Sequence, residues 1–324
     1  MYQKVVTQDT DREMKILMMT KGKKIQIGLD RTVIGIPYPK LITSNGTNAS
    51  AEELNIYDAQ KKKFQSQMKY IESVIFMGDY YLPKSSNKDL KRYIVRSEID
   101  GTHLCTFSLG FSWGTGVINF EFNPSKLTSD NFSEIDGLLT TMFYDHYDEL
   151  FSQGVVSHAE FYADVAGEEL SNLVLIDSGR RTTKQCKETT YHGTRVSRLV
   201  TTLYDKAKQQ KTGGQLVRIE ARLNRRDIPL RDLVEQDLFN PLTTCVLVEA
   251  AAMQSLSKKW KYPLLANDII ELGLYRAVAN KHSRKAILAY LREQMVSWWQ
   301  PEVFWAAHRK LLLKLRPGHA GVFG

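Results

Sequence analysis

Apolar and polar side chains alternate over much of the chain before residue 224, and this period of two predicts β-strands. The runs are rich in β-branched and aromatic residues and are bounded by glycines or Asp-Gly turns. They cover residues 22–36, 92–99, 103–111, 116–122, 155–165, 197–206 and 215–223. Gly213-Gly214 lies between the last two runs and predicts a turn there. We therefore expect an antiparallel sheet.

Helical spacing occurs in two parts of the chain. Apolar residues at i, i+3, i+4 and i+7 within residues 131–153 predict one amphipathic helix on the sheet, with Ser133 as its N-cap. Residues 43–64 are polar and predict a solvated helix or loop. After Pro229 we expect helices at 230–239, 268–282, 283–299 and 301–315. The predicted fold class is α+β: an antiparallel β-sheet with helices on one face, followed by a mainly helical C-terminal region.

The chain carries a formal charge of +8 and has a pI near 9.2, which favours association with a polyanion such as nucleic acid. The charge is concentrated between residues 195 and 226, where nine basic residues stand against two acidic ones. This segment is therefore a candidate for binding phosphate. A basic protein without a nucleic-acid partner is the alternative explanation of the charge.

Three cysteines at wide spacing, Cys105, Cys186 and Cys245, fit neither a disulfide framework nor a zinc site. We therefore expect a reducing, cytoplasmic location. The first residues are polar and charged, so we expect no secretory signal. No run of about 18 apolar residues occurs, and we expect neither a transmembrane helix nor a membrane partner.

The strands at 155–165 and 215–223 each have one apolar and one polar face, because side chains two apart share a face. The polar faces carry His158, Glu160, Tyr162, Asp164, Arg218, Glu220 and Arg222. Contact with water explains a polar face of a sheet equally well. Glu121, however, stands between two phenylalanines in the strand at 116–122, where a carboxylate requires a cation or a metal as its partner.

If Glu121, Asp164 and Glu220 converge, they form an oxygen-ligand site suited to Mg²⁺ or Mn²⁺. Such an ion would polarise a phosphate. His158 would ligate the ion or orient a ligand, or it is an ordinary histidine of a strand.

Tyr191 is the candidate nucleophile. It is followed by Gly193 and Arg195, a pattern typical of a strand that ends in a turn and presents the phenol beside a phosphate-binding cation. A phenol that attacks phosphorus needs its proton removed and the developing charge stabilised. Tyr191 is one of fifteen tyrosines, so the case depends on the motif around it.

That motif resembles the replication initiation factor family, the rolling-circle initiators of plasmids, filamentous phages and integrative elements. The similar segments are INFEFNPSKL, VVSHAEFYADVAG, TTYHGTRVSRLVTTLYDKAKQ and LVRIEARLNRR, which together cover about residues 117–226. The resemblance implies a relaxase-like antiparallel sheet. It also implies a metal-dependent tyrosine that nicks one DNA strand and stays attached to the 5′ phosphate.

Carried over by position, the resemblance implies that Tyr191 is the nucleophile and that Asp164, Glu220 and Glu121 are the ligands of Mg²⁺ or Mn²⁺. The residues expected to contact DNA or its phosphates are Arg195, Ser197, Lys206, Arg218 and Arg222. No single role is assigned to His158, Glu160 and Asp205. His158 and Glu160 stand where the family often has Arg and Asp, and Asp205 is either an ion-pair partner of Lys206 or part of the site.

The expected organisation is a catalytic DNA-nicking domain at 1–227 and a helical region at 228–324 that serves DNA binding or self-association. The resemblance implies origin DNA as substrate, a host helicase as partner and a homodimer that makes the second nick. Two alternatives remain open. A conjugative relaxase of an integrative element uses the same chemistry, and a non-catalytic DNA-binding regulator would use residues 274–293 as a helix-turn-helix.

Overall fold

The structure is a computed structural model, and it describes residues 7–9, 15–37, 51–77, 90–112, 115–143, 154–179, 181–224, 228–229 and 240–314. The helix predicted at 230–239 lies outside the described residues, and so does the part of the helix predicted at 131–153 that follows residue 143.

An antiparallel sheet of twelve strands dominates the fold, which confirms the predicted α+β class. Its strands are β1 (Thr7–Asp9), β2 (Lys15–Thr20), β3 (Lys23–Pro37), β4 (Leu90–Arg96), β5 (His103–Ser112), β6 (Thr115–Phe122), β7 (Val155–Ala166), β9 (Thr183–Cys186), β10 (Thr189–His192), β11 (Leu199–Asp205), β12 (Leu216–Leu223) and β13 (Ile228–Pro229). The order across the sheet is β4-β5-β6-β3-β7-β12-β11-β10-β9. Strands β2 and β13 pair at its side with β3 and β7, and β1 pairs with β2.

The long central strand β3 contains a β-bulge that matters for the site. Leu29 pairs with Phe161 of β7, but the next pair is Thr32 with Ala159, so β3 has one extra residue. Leu29 and Thr32 are both fully buried. Asp30 and the residue after it, which lie between them, therefore both project from the opposite, polar face of the sheet.

The apolar face of the sheet is covered by helices α1 (Ala51–Met77), α2 (Ser129–Phe143) and α8 (Pro301–Lys314), whose buried side chains share one hydrophobic cluster with the strands. In this cluster the ring of Trp305 lies edge-on to Phe161 of β7, at 5.1 Å. His308 is fully buried beside them, and burial lowers its pKa to about 4. Helix α8 thus lies against the central strands, although it belongs to the predicted C-terminal region.

Helix α2 begins earlier than the sequence pattern predicted. Ser133 is not its N-cap, because the helix already starts at Ser129 and the Ser133 hydroxyl donates to the carbonyl of that residue. The cap is Thr128, whose Oγ1 accepts from the backbone N–H of Asn131, while Asn131 Oδ1 accepts from the N–H of Thr128. The polar stretch at 43–64 is helical over the part that α1 covers.

A second hydrophobic cluster lies in the C-terminal part of the chain. It joins a two-stranded sheet, β8 (Leu173–Asp177) and β14 (Cys245–Glu249), to four further helices. These are α4 (Ala250–Lys259), α5 (Leu265–Leu272), α6 (Leu274–Ala277) and α7 (Lys281–Glu293).

Strand β14 was not predicted, and the helix expected at 268–282 is broken at Gly273. The division at 227/228 stays a prediction. Among the described residues, no helix is long and apolar enough to cross a membrane.

Candidate metal and nucleophile site on the polar face

The pairing register aligns Tyr191 with Glu220 across the sheet. Tyr191 of β10 lies opposite Thr202 of β11, and Thr202 lies opposite Glu220 of β12. Directly paired residues of antiparallel strands project from the same face. Because adjacent strands are about 4.8 Å apart, the two backbones are separated by about 10 Å. The predicted nucleophile and a predicted metal ligand therefore share one row of the polar face.

The same two side chains line one cleft of about 620 Å³. Its walls also include Thr202, Tyr204 and Arg222. Tyr204 donates a hydrogen bond to Oε2 of Glu220 at 3.3 Å, and burial raises its pKa well above the usual value of a phenol. Tyr204 was not among the predicted site residues, although it lies in the segment TTYHGTRVSRLVTTLYDKAKQ that carries Tyr191.

Three carboxylates of this face have oxygen atoms within 4.8 Å of one another: Asp30, Glu160 and Glu220. Glu220 was a predicted ligand, and Glu160 had no assigned role. Asp30 was missed, although a carboxylate within the apolar run of β3 is the kind of signal that singled out Glu121. We call these three residues the acidic cluster.

Glu121 lies outside this cluster and is neutralised by arginines. Arg31 Nε is 2.7 Å from one carboxylate oxygen of Glu121, and Arg92 Nη2 is 3.2 Å from the other. Arg31 reaches Glu121 because the bulge of β3 turns it to the polar face. The aromatic strand thus gives Glu121 cationic partners, one of the two alternatives that the sequence left open.

Asp164 also has both oxygens occupied. Arg218 donates to them from Nε and Nη2, at 2.5 and 2.6 Å, and its Nη1 donates to Asp30 at 2.6 Å. Arg218 is only 5% exposed. The structure thus joins Asp164 to Arg218 instead of to the acidic cluster. It also buries the Arg218 guanidinium, which was predicted to contact phosphate.

A tyrosine platform supports this guanidinium. The centre of the Arg218 guanidinium lies 3.7 Å from the ring centroid of Tyr162, a cation–π contact. Burial raises the pKa of Tyr162 to about 12. The ring lies across β3 at Gly28, where a Cβ would stand 2.2 Å from the phenol oxygen. Only glycine therefore fits beneath Tyr162.

Arg222 bridges two members of the acidic cluster. Its Nε lies 2.7 Å from Glu160 Oε1 and its Nη2 lies 3.1 Å from Glu220 Oε1. The Nε contact is an ion pair only, since this N–H has no aligned acceptor. Arg222 thus neutralises carboxylates in the absence of other cations, while 34% of its side chain stays accessible.

The two glutamates differ in their pKa. Burial favours the protonated form of Glu160, but the hydrogen bond from His158 and the charge of Arg222 outweigh it, so its pKa is lowered. Burial raises the pKa of Glu220, and the negative charge of Glu160 raises it further. Of the two glutamates, Glu220 is therefore the one whose ionised form an added cation would stabilise more.

Four further residues of the prediction lie around the site. Lys206 and Asp205 lie near Tyr204, and Arg195 and Ser197 follow β10. Lys206 stands 5.8 Å from the ring centroid of Tyr204, and burial together with the charge of Arg218 lowers its pKa. It lines a second cleft of about 560 Å³ with three further lysines, Lys15, Lys24 and Lys126. Asp205 caps the short helix α3 (Lys206–Gln210), because its Oδ1 accepts from the N–H of Lys208.

Arg195 and Ser197 lie in the turn that follows β10. Gly193 opens the turn with φ +105°, and a Cβ there would stand 2.8 Å from the carbonyl oxygen of Leu199. The Ser197 hydroxyl accepts from the N–H of Thr194 at 2.8 Å, so its hydroxyl shapes the turn. Arg195 is exposed and is available for a phosphate.

The sequence matches no known family model and no curated protein. The structure is similar to that of a rolling-circle replication initiator protein from Geobacillus stearothermophilus, with a TM-score of 0.38 and 10% sequence identity. That alignment covers 90% of this chain and 97% of the other. The function is therefore inferred from the site itself.

Proposed function

We propose that this protein is a metal-dependent nickase that initiates rolling-circle replication through attack of Tyr191 on a DNA phosphodiester. The observation that carries the proposal is the shared row and cleft of Tyr191 and Glu220, since Glu220 belongs to the acidic cluster. The four sequence segments that resemble the replication initiation factor family support the proposal, and so does the basic segment at 195–226.

The acidic cluster fits a divalent cation. Its three carboxylates, those of Asp30, Glu160 and Glu220, converge on one point, and the guanidinium groups that contact them are those of Arg218 and Arg222. Oxygen ligands at this spacing suit Mg²⁺ or Mn²⁺. When bound, such an ion polarises the scissile phosphate and stabilises the charge that develops on it.

The chain's own residues supply the rest of the reaction. The Tyr191 oxygen forms a bond to phosphorus while the bond from phosphorus to the 3′ oxygen breaks. The proton lost by the phenol is balanced by the proton gained at the released 3′ hydroxyl, and the 5′ phosphate stays on Tyr191. Arg195 binds a neighbouring phosphate, and Arg222 holds the two glutamates in place.

A single-stranded DNA library of random sequence tests the proposal without a known origin. The protein is incubated with the library and Mn²⁺, and covalent protein–DNA adducts are isolated under denaturing conditions and sequenced. We expect adducts of one dominant sequence, linked through Tyr191. They disappear with Tyr191→Phe and persist with Tyr262→Phe, a matched change at an exposed tyrosine of the C-terminal part. Adducts that survive Tyr191→Phe would refute the proposal.

Initiation of conjugative transfer by a relaxase remains the second candidate, because it requires the same site. A plasmid that carries the recovered sequence separates the two, since an initiator sustains its replication and a relaxase only its transfer. A regulator built on residues 274–293 is less favoured, because the helix that precedes α7 is α6, which has only four residues. We propose origin DNA as the substrate, a host helicase as a partner, and a second copy of this chain that makes the second nick.

A further inference from the structure

The turn that follows the candidate nucleophile presents an apolar tip between two cations. Val196 is 89% exposed, and Arg195 and Arg198 on either side of it are exposed as well. A surface valine by itself has no functional meaning. Here it stands at the tip of a tight turn, and the two charges that flank it favour a polyanion as the surface it meets.

Hydrogen bonds hold this turn in one conformation. The N–H of Ser197 donates to the carbonyl of Thr194 at 2.9 Å, and the N–H of Thr194 donates to the Ser197 hydroxyl. Immediately after strand β12, the side-chain amide of Asn224 donates to the carbonyls of Ser197, at 3.0 Å, and Arg195, at 3.5 Å. The tip is therefore presented by a built scaffold.

The scaffold continues to the acidic cluster. Asn224 Oδ1 lies 2.8 Å from Nδ1 of His158, and Nε2 of His158 lies 3.0 Å from Glu160. Tyr191 stands two residues before the glycine that opens the turn, about 7 Å along the strand. The turn is thus connected to the acidic cluster through Asn224 and His158, and to the nucleophile along the chain.

We infer that Val196 is a wedge that inserts between stacked bases of duplex DNA, while Arg195 and Arg198 hold the adjoining phosphates. Proteins that open or kink a duplex insert apolar side chains between base steps in this way. The inference rests on the proposed function and deepens it, because it explains how a strand of a duplex is freed to reach Tyr191. Asn224, which donates to two carbonyls of the turn, holds the wedge in place.

Short duplexes that contain 2-aminopurine test the wedge without any cleavage. Binding is measured in EDTA at saturating protein, and base unstacking raises the fluorescence of 2-aminopurine. We expect wild type and Val196→Ile to raise the fluorescence and Val196→Ser to reduce that rise roughly tenfold. The matched control is Ile99→Ser, at an apolar residue 78% exposed in the turn between β4 and β5, and it should behave as wild type.

No rise with bound wild type, or an equal rise with Val196→Ser, would overturn the wedge. Failure of the wedge proposal can be distinguished from failure of the proposed nicking activity. A protein that forms adducts with single-stranded DNA but does not unstack the duplex is a nickase without a wedge. A protein that unstacks the duplex but forms no adducts keeps the wedge and loses the proposed chemistry.

Discussion

Arg218 donates to both carboxylate oxygens of Asp164, at 2.5 and 2.6 Å, in the buried interior of the polar face. This pair has the bidentate geometry that makes arginine–carboxylate contacts strong. Asp164, a metal ligand in the prediction from sequence, is thus the partner of Arg218, and it is not one of the three carboxylates that converge in the acidic cluster. The pair connects the two central strands β7 and β12 beneath the acidic cluster.

Removal of Arg218 should therefore destabilise the fold. Arg218→Met leaves the carboxylates of Asp164 and Asp30 without their main cation, and we expect the free energy of unfolding to fall by about 3–5 kcal/mol. Denaturation in urea measures it. The double variant Asp164→Asn/Arg218→Met should recover part of the loss, because the buried charge is then gone. Strictly additive losses would show that the pair contributes no coupling.

Metal affinity should follow the acidic cluster and not the ligand set predicted from sequence. Glu220→Gln and Asp30→Asn should each weaken Mn²⁺ binding by about 10–100-fold, since each removes one anionic oxygen ligand. Isothermal titration calorimetry measures the affinity. Glu121→Gln is the matched control and should keep wild-type affinity, because Arg31 and Arg92 already neutralise Glu121. Loss of binding with Glu121→Gln instead would restore the ligand set predicted from sequence.

The raised pKa of Glu220 predicts how stability depends on pH without metal. A carboxyl whose pKa is higher in the folded than in the unfolded chain binds more protons when folded. The stability that this carboxyl contributes is full below its pKa in the unfolded chain, about 4.3, and is lost as the pH rises through its pKa in the folded chain. We therefore expect the wild type to lose stability relative to Glu220→Gln over that interval. Urea denaturation of both proteins in EDTA checks it, and parallel curves would contradict the shift.

The alternation of apolar and polar residues in the sequence was sufficient to predict the polar face of the sheet. Which side chains meet on that face depends on the pairing register of the strands and on the bulge in β3. In a regular β3 strand, Asp30 and Thr32 would share a face. The extra residue instead buries Thr32 and leaves Asp30 beside Glu160 and Glu220. No local pattern in the sequence marks that bulge. Pairing between β7 and β12, which are distant in sequence, likewise decides that Arg218 meets Asp164.

Gly28 should be required for the tyrosine platform under Arg218. A Cβ at this position would stand 2.2 Å from the phenol oxygen of Tyr162, so Gly28→Ala displaces the ring and the guanidinium stacked on it. We expect a loss of about 1–3 kcal/mol in the free energy of unfolding, as for other overpacked sites.

Gly137→Ala is the matched control, since its Cβ in helix α2 meets no atom within 4 Å. Alanine is the better helix former, so this control should gain about 0.5–1 kcal/mol. Urea denaturation separates the two results, and an unchanged stability of Gly28→Ala would show that Tyr162 is free to move aside.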